Sequence, residues 1–145
     1  MLRNMENPSL VPEVAVSDYA GSLRFYCDLL GFEVGYERPQ EGYAYLMLGS
    51  SHLMIDQIGL GRTWRTGDLL HPLGRGVNFQ IQVRDITPAM TRLKCAEWPL
   101  FLNPETRWYR VASQEEAGVR QLLVQDPDGY LLRLQMPLGR RQATG

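Results

Sequence analysis

The chain has 145 residues, a formal net charge of −1 and 44% hydrophobic residues. This length is typical of one domain or of two small modules, and a composition of 21% charged and 10% aromatic residues excludes a disordered chain. The near-neutral charge and the scattered arginines argue against a nucleic-acid partner, which usually requires a basic stripe. The apolar stretches are too short to span a membrane, so we expect no membrane partner.

The few cysteines and histidines limit the kinds of covalent link and metal site that the chain can form. Cys27 and Cys95 form no CxxC pair and cannot build a disulfide scaffold, and residues 1–9 lack the apolar segment of a secretory signal. We therefore expect a cytoplasmic protein with reduced thiols. Only His52 and His71 are present, so a site that needs three histidines is excluded. No nucleophile motif is found either, and the catalytic residues remain unknown.

The first half of the chain is predicted to have the order β-α-β-β-β. A strand over 10–16 leads into a helix over 19–30, with Asp18 as its N-cap and Gly31 closing it. Leu23, Tyr26, Cys27 and Leu30 form its apolar stripe. Strands are then predicted over 32–37, 43–48 and 53–58.

The second half repeats this order after a glycine-rich segment. The predicted elements are a strand over 76–83, a helix over 86–96, strands over 98–102, around 108–111, over 119–125 and over 130–136, and a hairpin turn at 126–129. Equivalent positions of the two halves are 67 residues apart in the sequence. Near the ends of the halves this separation becomes 77 residues, which places Asp56 opposite Arg133.

This internal repeat predicts an α+β fold of two βαβββ modules. They form a curved mixed sheet with the helices on its convex face and a concave ligand cleft on the other. The predicted boundaries are 10–58 for the first module, 59–75 for a linker loop, 76–137 for the second module and 138–145 for a flexible tail.

The alternation of side chains along each strand identifies the cleft face. One parity is consistently apolar and is expected to pack under the helices. The other parity is mixed, as in a ligand cleft with a few fixed polar groups, or as on a sheet that simply faces water. Its polar members are Glu13, Asp56, Asn78, Gln80, Gln82, Arg133 and Gln135.

The segment VPEVAVSDYAGSLRFYCDLLGFEVGYE resembles the opening of the glyoxalase/bleomycin-resistance/extradiol-dioxygenase superfamily, also called the vicinal oxygen chelate fold. The resemblance rests on Ser22, Leu23, Phe25, Tyr26, Leu30, Gly31 and Phe32, and on the closing DPDGYLLRL, and it extends from Leu10 to Met136. It implies the two-module fold, but it says little about function because one scaffold serves many activities.

Metal-dependent members of this superfamily bind a divalent ion through four inward side chains, and those positions correspond here to Val11, Asp56, Asn78 and Arg133. Valine has no donor atom, and arginine brings a permanent positive charge that repels a cation. We therefore expect no metal and no cofactor. His52, on the strand of Asp56 but about 13 Å from it, is predicted to be a surface residue.

Metal-free members that resemble bleomycin-resistance protein bind drugs in two clefts of a homodimer, and residues 107–134 look most like that subgroup. This resemblance implies a homodimer that binds a small-molecule ligand. It also implies that Trp108, Tyr109 and the loop residue Trp64 stack on that ligand. Each aromatic side chain has the alternative of simple packing in a core or an interface. Unlike the markedly acidic drug binders, however, this chain is nearly neutral.

Three functions follow as hypotheses. The preferred one is a metal-independent protein that sequesters a small aromatic or polar compound such as an antibiotic. The second is a glyoxalase- or dioxygenase-like enzyme, a lyase or isomerase with an altered metal site, or a metal-free catalyst with Asp56 or Glu13 as the base. The third is a dimeric scaffold. Asp56 and Arg133 are expected either to pair with each other or to recognise a charged ligand.

Overall fold

A computed structural model describes residues 7–144, in which each half of the chain forms one four-stranded sheet with a helix packed on it. The elements are β1 (Glu13–Val16), α1 (Tyr19–Leu23), β2 (Glu33–Arg38), β3 (Tyr43–Leu48), β4 (Ser51–Gln57), β5 (Asn78–Gln82), α2 (Thr87–Cys95), β6 (Leu102–Ala112), β7 (Glu115–Gln125) and β8 (Leu131–Gln142). Across residues 7–144, neither helix has the length and apolar character needed to cross a membrane.

The two sheets have the same topology. Their strand orders are β1-β4-β3-β2 and β5-β8-β7-β6. In each sheet the first strand of the module pairs in parallel with the last, and the other pairs are antiparallel. The predicted α+β fold of two βαβββ modules is therefore confirmed, with two sheets rather than one continuous sheet.

The first helix begins and ends where the sequence predicts. Asp18 accepts a hydrogen bond from the Gly21 N–H at 3.2 Å, which satisfies one of the free N–H groups of the first turn. After Leu23 the helix widens into a π-helical segment over Arg24–Leu29. Gly31 follows with φ of 91°, a conformation that glycine adopts without steric cost.

A single apolar core joins the two modules. It contains residues of the predicted apolar parity from both sheets, such as Val16, Ile55 and Leu134, all fully buried. Between the helices, the rings of Phe25 and Trp98 lie 4.9 Å apart, and burying such rings is a large part of the packing energy. The apolar faces of both sheets are thus covered, and the mixed faces remain for a ligand.

One predicted strand is absent and another element is longer than predicted. Residues 98–101 form a connection instead of a strand, because Trp98 donates its indole N–H to the Gln125 carbonyl at 2.9 Å and Pro99 has no N–H to give a ladder. The strand predicted around 108–111 is the middle of β6, which runs for 11 residues.

The predicted tail is largely strand. Residues 138–142 continue β8, where they pair with the first residues of β7. Two ion pairs accompany this pairing, Arg140 with Glu115 at 3.2 Å and Arg141 with Glu116 at 3.0 Å. The three strands β6, β7 and β8 therefore form a long arm on the second module.

The hairpin before β8 binds the first module through buried polar groups. The Asp126 carboxylate, 3% exposed, accepts hydrogen bonds from the Tyr26 hydroxyl at 2.7 Å and from the backbone N–H groups of Asp128 and Tyr130 at 2.9 Å. The Ser17 N–H donates to Asp128, and the Tyr130 hydroxyl donates to the carbonyl of residue 15. We call these contacts the Asp126 junction.

We predict that the Asp126 junction makes stability depend on pH. Burial raises the pKa of Asp126 to about 6, and an unfolded aspartate has a pKa of about 3.9. The carboxyl group therefore favours folding most below about pH 4, and this contribution is lost as the pH rises through about 6. Relative to Asp126→Asn, the wild-type free energy of unfolding should fall by about 2 kcal/mol between about pH 4 and pH 7 in urea titrations. A difference that does not change with pH would contradict this.

Candidate functional site

The mixed face of the first sheet carries an acidic and aromatic group of side chains. The sheet register places Glu13 beside Met54, and Tyr43 beside Asp56 on the neighbouring strand. Because alternate residues share a face, these four side chains lie on the side of the sheet away from the helix, as the strand parity predicts.

A cavity of about 300 Å³ lies over this face, and a second cavity of about 100 Å³ adjoins it. Both are lined by Glu13, Asp56, Arg62 and Trp64, and we call them together the acidic pocket. The loop after β4 forms its roof. At Gly61 this loop lies so close to the sheet that a Cβ atom would be 3.3 Å from Asp56 Oδ1.

Three carboxyl groups line the acidic pocket, and one of them, Glu41, is paired with Arg38. Neither Glu13 nor Asp56 forms an ion pair with another residue of the described chain. Burial raises the pKa of Glu13, and the neighbouring Asp56 raises it further. Burial also raises the pKa of Asp56, although Arg38 acts in the opposite direction. Arg38 also lowers the pKa of Glu13. The pocket therefore holds two partly desolvated carboxyl groups that a cationic group would stabilise.

Both arginines of the pocket are already engaged. Arg38 donates to Glu41 at 2.6 Å, and its guanidinium carbon lies 4.0 Å from the centre of the Tyr43 ring. The Arg62 guanidinium lies 5.0 Å from the Trp64 ring, which is itself 75% exposed. These cation–π contacts show that the aromatic faces of the pocket accept flat, positively charged groups.

A cluster of three tyrosines continues the pocket toward the sheet edge, and the sequence analysis missed it. The Tyr36 and Tyr43 hydroxyls are 3.1 Å apart, and the rings of Tyr36 and Tyr45 stack at 5.2 Å. Burial and the contact with Tyr36 raise the pKa of Tyr43. The alternation of Tyr43 and Tyr45 along one strand, in the parity of the cleft, was the available signal.

Asn78 and Gln80 lie outside the acidic pocket. They line a different cavity, beside His52, where β5 approaches the start of β4. The prediction that His52 is a surface residue is wrong, because its side chain is only 7% exposed. Its Nδ1 lies 2.6 Å from the Tyr45 hydroxyl, and this cross-strand hydrogen bond keeps the polar ring buried.

Trp108 and Tyr109 lie on the arm of the second module and point to opposite faces of β6, as consecutive strand residues do. The Trp108 ring packs over Gly118, and the Arg141 guanidinium lies 4.0 Å from its centre. The Tyr109 hydroxyl accepts a hydrogen bond from Gln121 at 2.8 Å. The structure therefore does not place both rings on one ligand surface, and neither lines the acidic pocket.

Arg133 does not face Asp56 as the repeat offset suggested. Glu13 pairs with Met54 in the first sheet, and Gln80 pairs with Arg133 in the second. The residue of the first module equivalent to Arg133 is therefore Met54, and the offset near the module ends is 79 rather than 77. No ion pair joins Asp56 to Arg133 within residues 7–144, and Arg133 Nε is buried without a hydrogen-bond partner there.

The residues at the superfamily's four metal positions do not fit a divalent cation. The corrected register replaces Asp56 by Met54 in this set, and Val11, Asn78 and Arg133 complete it. A valine, a thioether, an amide and a guanidinium cannot supply the three imidazole or carboxylate ligands that catalytic zinc or iron sites use. Elsewhere in the described part of the chain, no three His, Cys, Asp or Glu side chains cluster as metal ligands would.

Comparisons with known proteins agree with this architecture. The family model described as "Glyoxalase/Bleomycin resistance protein/Dioxygenase superfamily" matches residues 10–134. A superfamily member of known structure from Vibrio splendidus 12B01 is 37% identical, with 87% of this chain and 95% of that chain covered and a TM-score of 0.40. No curated protein matches the chain.

More distant solved structures share the fold. TioX from Micromonospora sp. ML1 is 21% identical, covers 89% of this chain and 98% of its own, and has a TM-score of 0.67. A lactoylglutathione lyase from Agrobacterium tumefaciens is 18% identical, with coverages of 89% and 94% and a TM-score of 0.54. On the match of the family model over most of its length, this chain belongs to the glyoxalase/bleomycin resistance protein/dioxygenase superfamily.

Proposed function

We propose that this chain is a metal-independent small-molecule-binding protein whose ligand is a flat aromatic compound with a positive charge. Antibiotics of that chemistry are one class that such a protein would sequester. The observation that carries the proposal is the pair Glu13 and Asp56, two partly desolvated carboxyl groups that share one cavity without an ion-pair partner in the described chain.

The chemistry of the acidic pocket supports this ligand class. A cationic group is attracted where carboxylates without an ion-pair partner have lost part of their water, and the raised pKa of Glu13 reflects that partial loss. The rings of Tyr43 and Trp64 also line the pocket, with Arg38 and Arg62 lying over one face of each. The cavity volume of about 300 Å³ lies at the lower end of the range of small-molecule sites.

We predict that 9-aminoacridine, a flat cation, binds the protein, whereas acridone, a neutral molecule of similar shape, binds much more weakly. In the double variant Glu13→Gln/Asp56→Asn the affinity for 9-aminoacridine should fall by about tenfold or more, because hydrogen bonds to charged groups contribute about 1.5–3 kcal/mol each. Fluorescence titration of the dye measures both affinities.

A matched double variant controls for net charge. Asp68→Asn/Glu97→Gln removes two exposed carboxylates outside the pocket and should leave the affinity nearly unchanged. Wild-type affinity should also decrease as the pH is lowered, since protonation of Glu13 and Asp56 begins at a higher pH than for free carboxyl groups. Equal binding of the dye and acridone, or equal losses in both double variants, would contradict the proposal.

We also predict that the protein does not need a metal. Protein purified without chelators should contain less than about a tenth of an equivalent of zinc, nickel, manganese or iron by elemental analysis, because the donor set offers too few ligands. One equivalent of metal that disappears in Asp56→Ala would show that a site has been rebuilt around this carboxylate.

We further propose that the protein is a cytoplasmic homodimer. Both cysteines are free thiols, as expected in a reducing compartment. The candidate ligand residues are divided between the acidic pocket of the first module and the arm of the second, and a second copy offers a way to bring such faces together. Tyr109 and Val111 on this arm are 46% and 48% exposed, which supports an interface there.

Sedimentation equilibrium tests the homodimer. We expect the wild-type protein to sediment with twice the mass of the chain, and Val111→Glu to shift it toward the monomer by placing a charge in the interface. Thr106→Glu, an equally exposed position on the same strand, serves as the control and should remain a dimer. A wild-type monomer at about 100 μM would contradict the proposal.

A further inference from the structure

A cavity of about 310 Å³ lies at the seam of the two modules, separate from the acidic pocket. Its walls are the segment over residues 8–12, the β3–β4 turn with Ser50 and Ser51, and β5. We call it the seam cavity. Its inner surface is mostly apolar, with Phe32 and Leu132 among the lining residues. Such a surface would hold the hydrocarbon part of a small molecule.

The imidazole of His52 is the most deeply buried polar group of the seam cavity. Tyr45 lies 2.6 Å from its Nδ1 but is not part of the cavity wall, so the opposite edge of the ring meets the cavity. Burial raises the pKa of Tyr45, which keeps its proton on the phenol. With Tyr45 as the donor to Nδ1, the imidazole proton resides on Nε2.

His52 Nε2 makes no hydrogen bond within residues 7–144, and it is not one of the fully buried atoms that lack a partner, so this edge of the ring is open to the cavity. A polar atom in that position is available to a ligand. The hydroxyls of Ser50 and Ser51 are further donors on the wall. None of the described residues that line the cavity is acidic or basic apart from the histidine. The wall is therefore suited to an acceptor, not to a cation.

We propose that the seam cavity is a second binding site, for a small apolar molecule whose carboxylate or carbonyl oxygen accepts a hydrogen bond from His52 Nε2. The ligand chemistry is opposite to that of the acidic pocket, where carboxylates select a cation. Tyr45 acts as a positioning residue, because its hydroxyl fixes which imidazole nitrogen carries the proton. The two sites are independent, so either proposal can fail without the other.

The probe is 2-naphthoate, a bicyclic carboxylate, and the readout is the ¹⁵N spectrum of histidine side chains. With only His52 and His71 in the chain, two sets of imidazole signals are expected, and the exposed loop residue His71 is an internal control. In the free protein, His52 should carry its proton on Nε2. Addition of 2-naphthoate should shift the His52 signals and leave those of His71 in place.

Two variants test the site by different means. His52→Phe keeps a flat ring but removes the donor, and it should weaken 2-naphthoate binding by about tenfold. If His52→Phe fails to fold, Asn78→Trp replaces an exposed β5 residue of the cavity wall and should block the probe without disturbing the core. Glu13→Gln/Asp56→Asn is the control, and its affinity for 2-naphthoate should equal that of the wild type.

Three results would overturn the proposal. One is a His52 proton on Nδ1 in the free protein. Another is the absence of any His52 shift at millimolar 2-naphthoate. The third is unchanged affinity in Asn78→Trp. Loss of 9-aminoacridine binding alone would concern only the acidic pocket, because that dye is a cation and the seam cavity has no acid to hold it.

Discussion

The relative position of the two modules depends on the buried carboxylate of Asp126. It accepts hydrogen bonds from two N–H groups of its own hairpin and from the Tyr26 hydroxyl of the first module, and the contact with Tyr26 joins residues that are 100 positions apart in the sequence. Removal of one partner would leave a buried polar group unsatisfied, which costs more than an ordinary hydrogen bond contributes.

The two modules keep one topology while their mixed faces differ in chemistry. In the first module this face has unpaired acids and stacked tyrosines, whereas in the second the positions around Arg133 carry glutamines. Since Met54 occupies the place equivalent to Arg133, the repeat preserves the positions of side chains but not a metal-binding set. Function on this scaffold must therefore be argued separately for each face.

Strand alternation predicted the cleft face but not the register. A shift of two residues leaves every side chain on the same face, so parity could not distinguish Met54 from Asp56 as the counterpart of Arg133. Residues 98–101 of the strand predicted at 98–102 do not form a strand, because Trp98 donates its indole N–H to the distant Gln125 carbonyl. A local sequence pattern does not contain such a contact. Burial of His52 was missed for the same reason, since it depends on a cross-strand tyrosine and on β5.

The loop between β4 and β5 contacts both the acidic pocket and the hairpin of the Asp126 junction. Near its start, Arg62 and Trp64 roof the acidic pocket, and near its end the Leu73 N–H donates to the Asp128 carbonyl at 2.8 Å, beside the Asp126 junction. One covalent segment therefore connects the acidic pocket to the contact between the modules. A molecule that bound in the pocket and ordered this segment so that the Leu73 contact was strengthened would also favour the docking of the modules, because a coupling free energy acts equally in both directions.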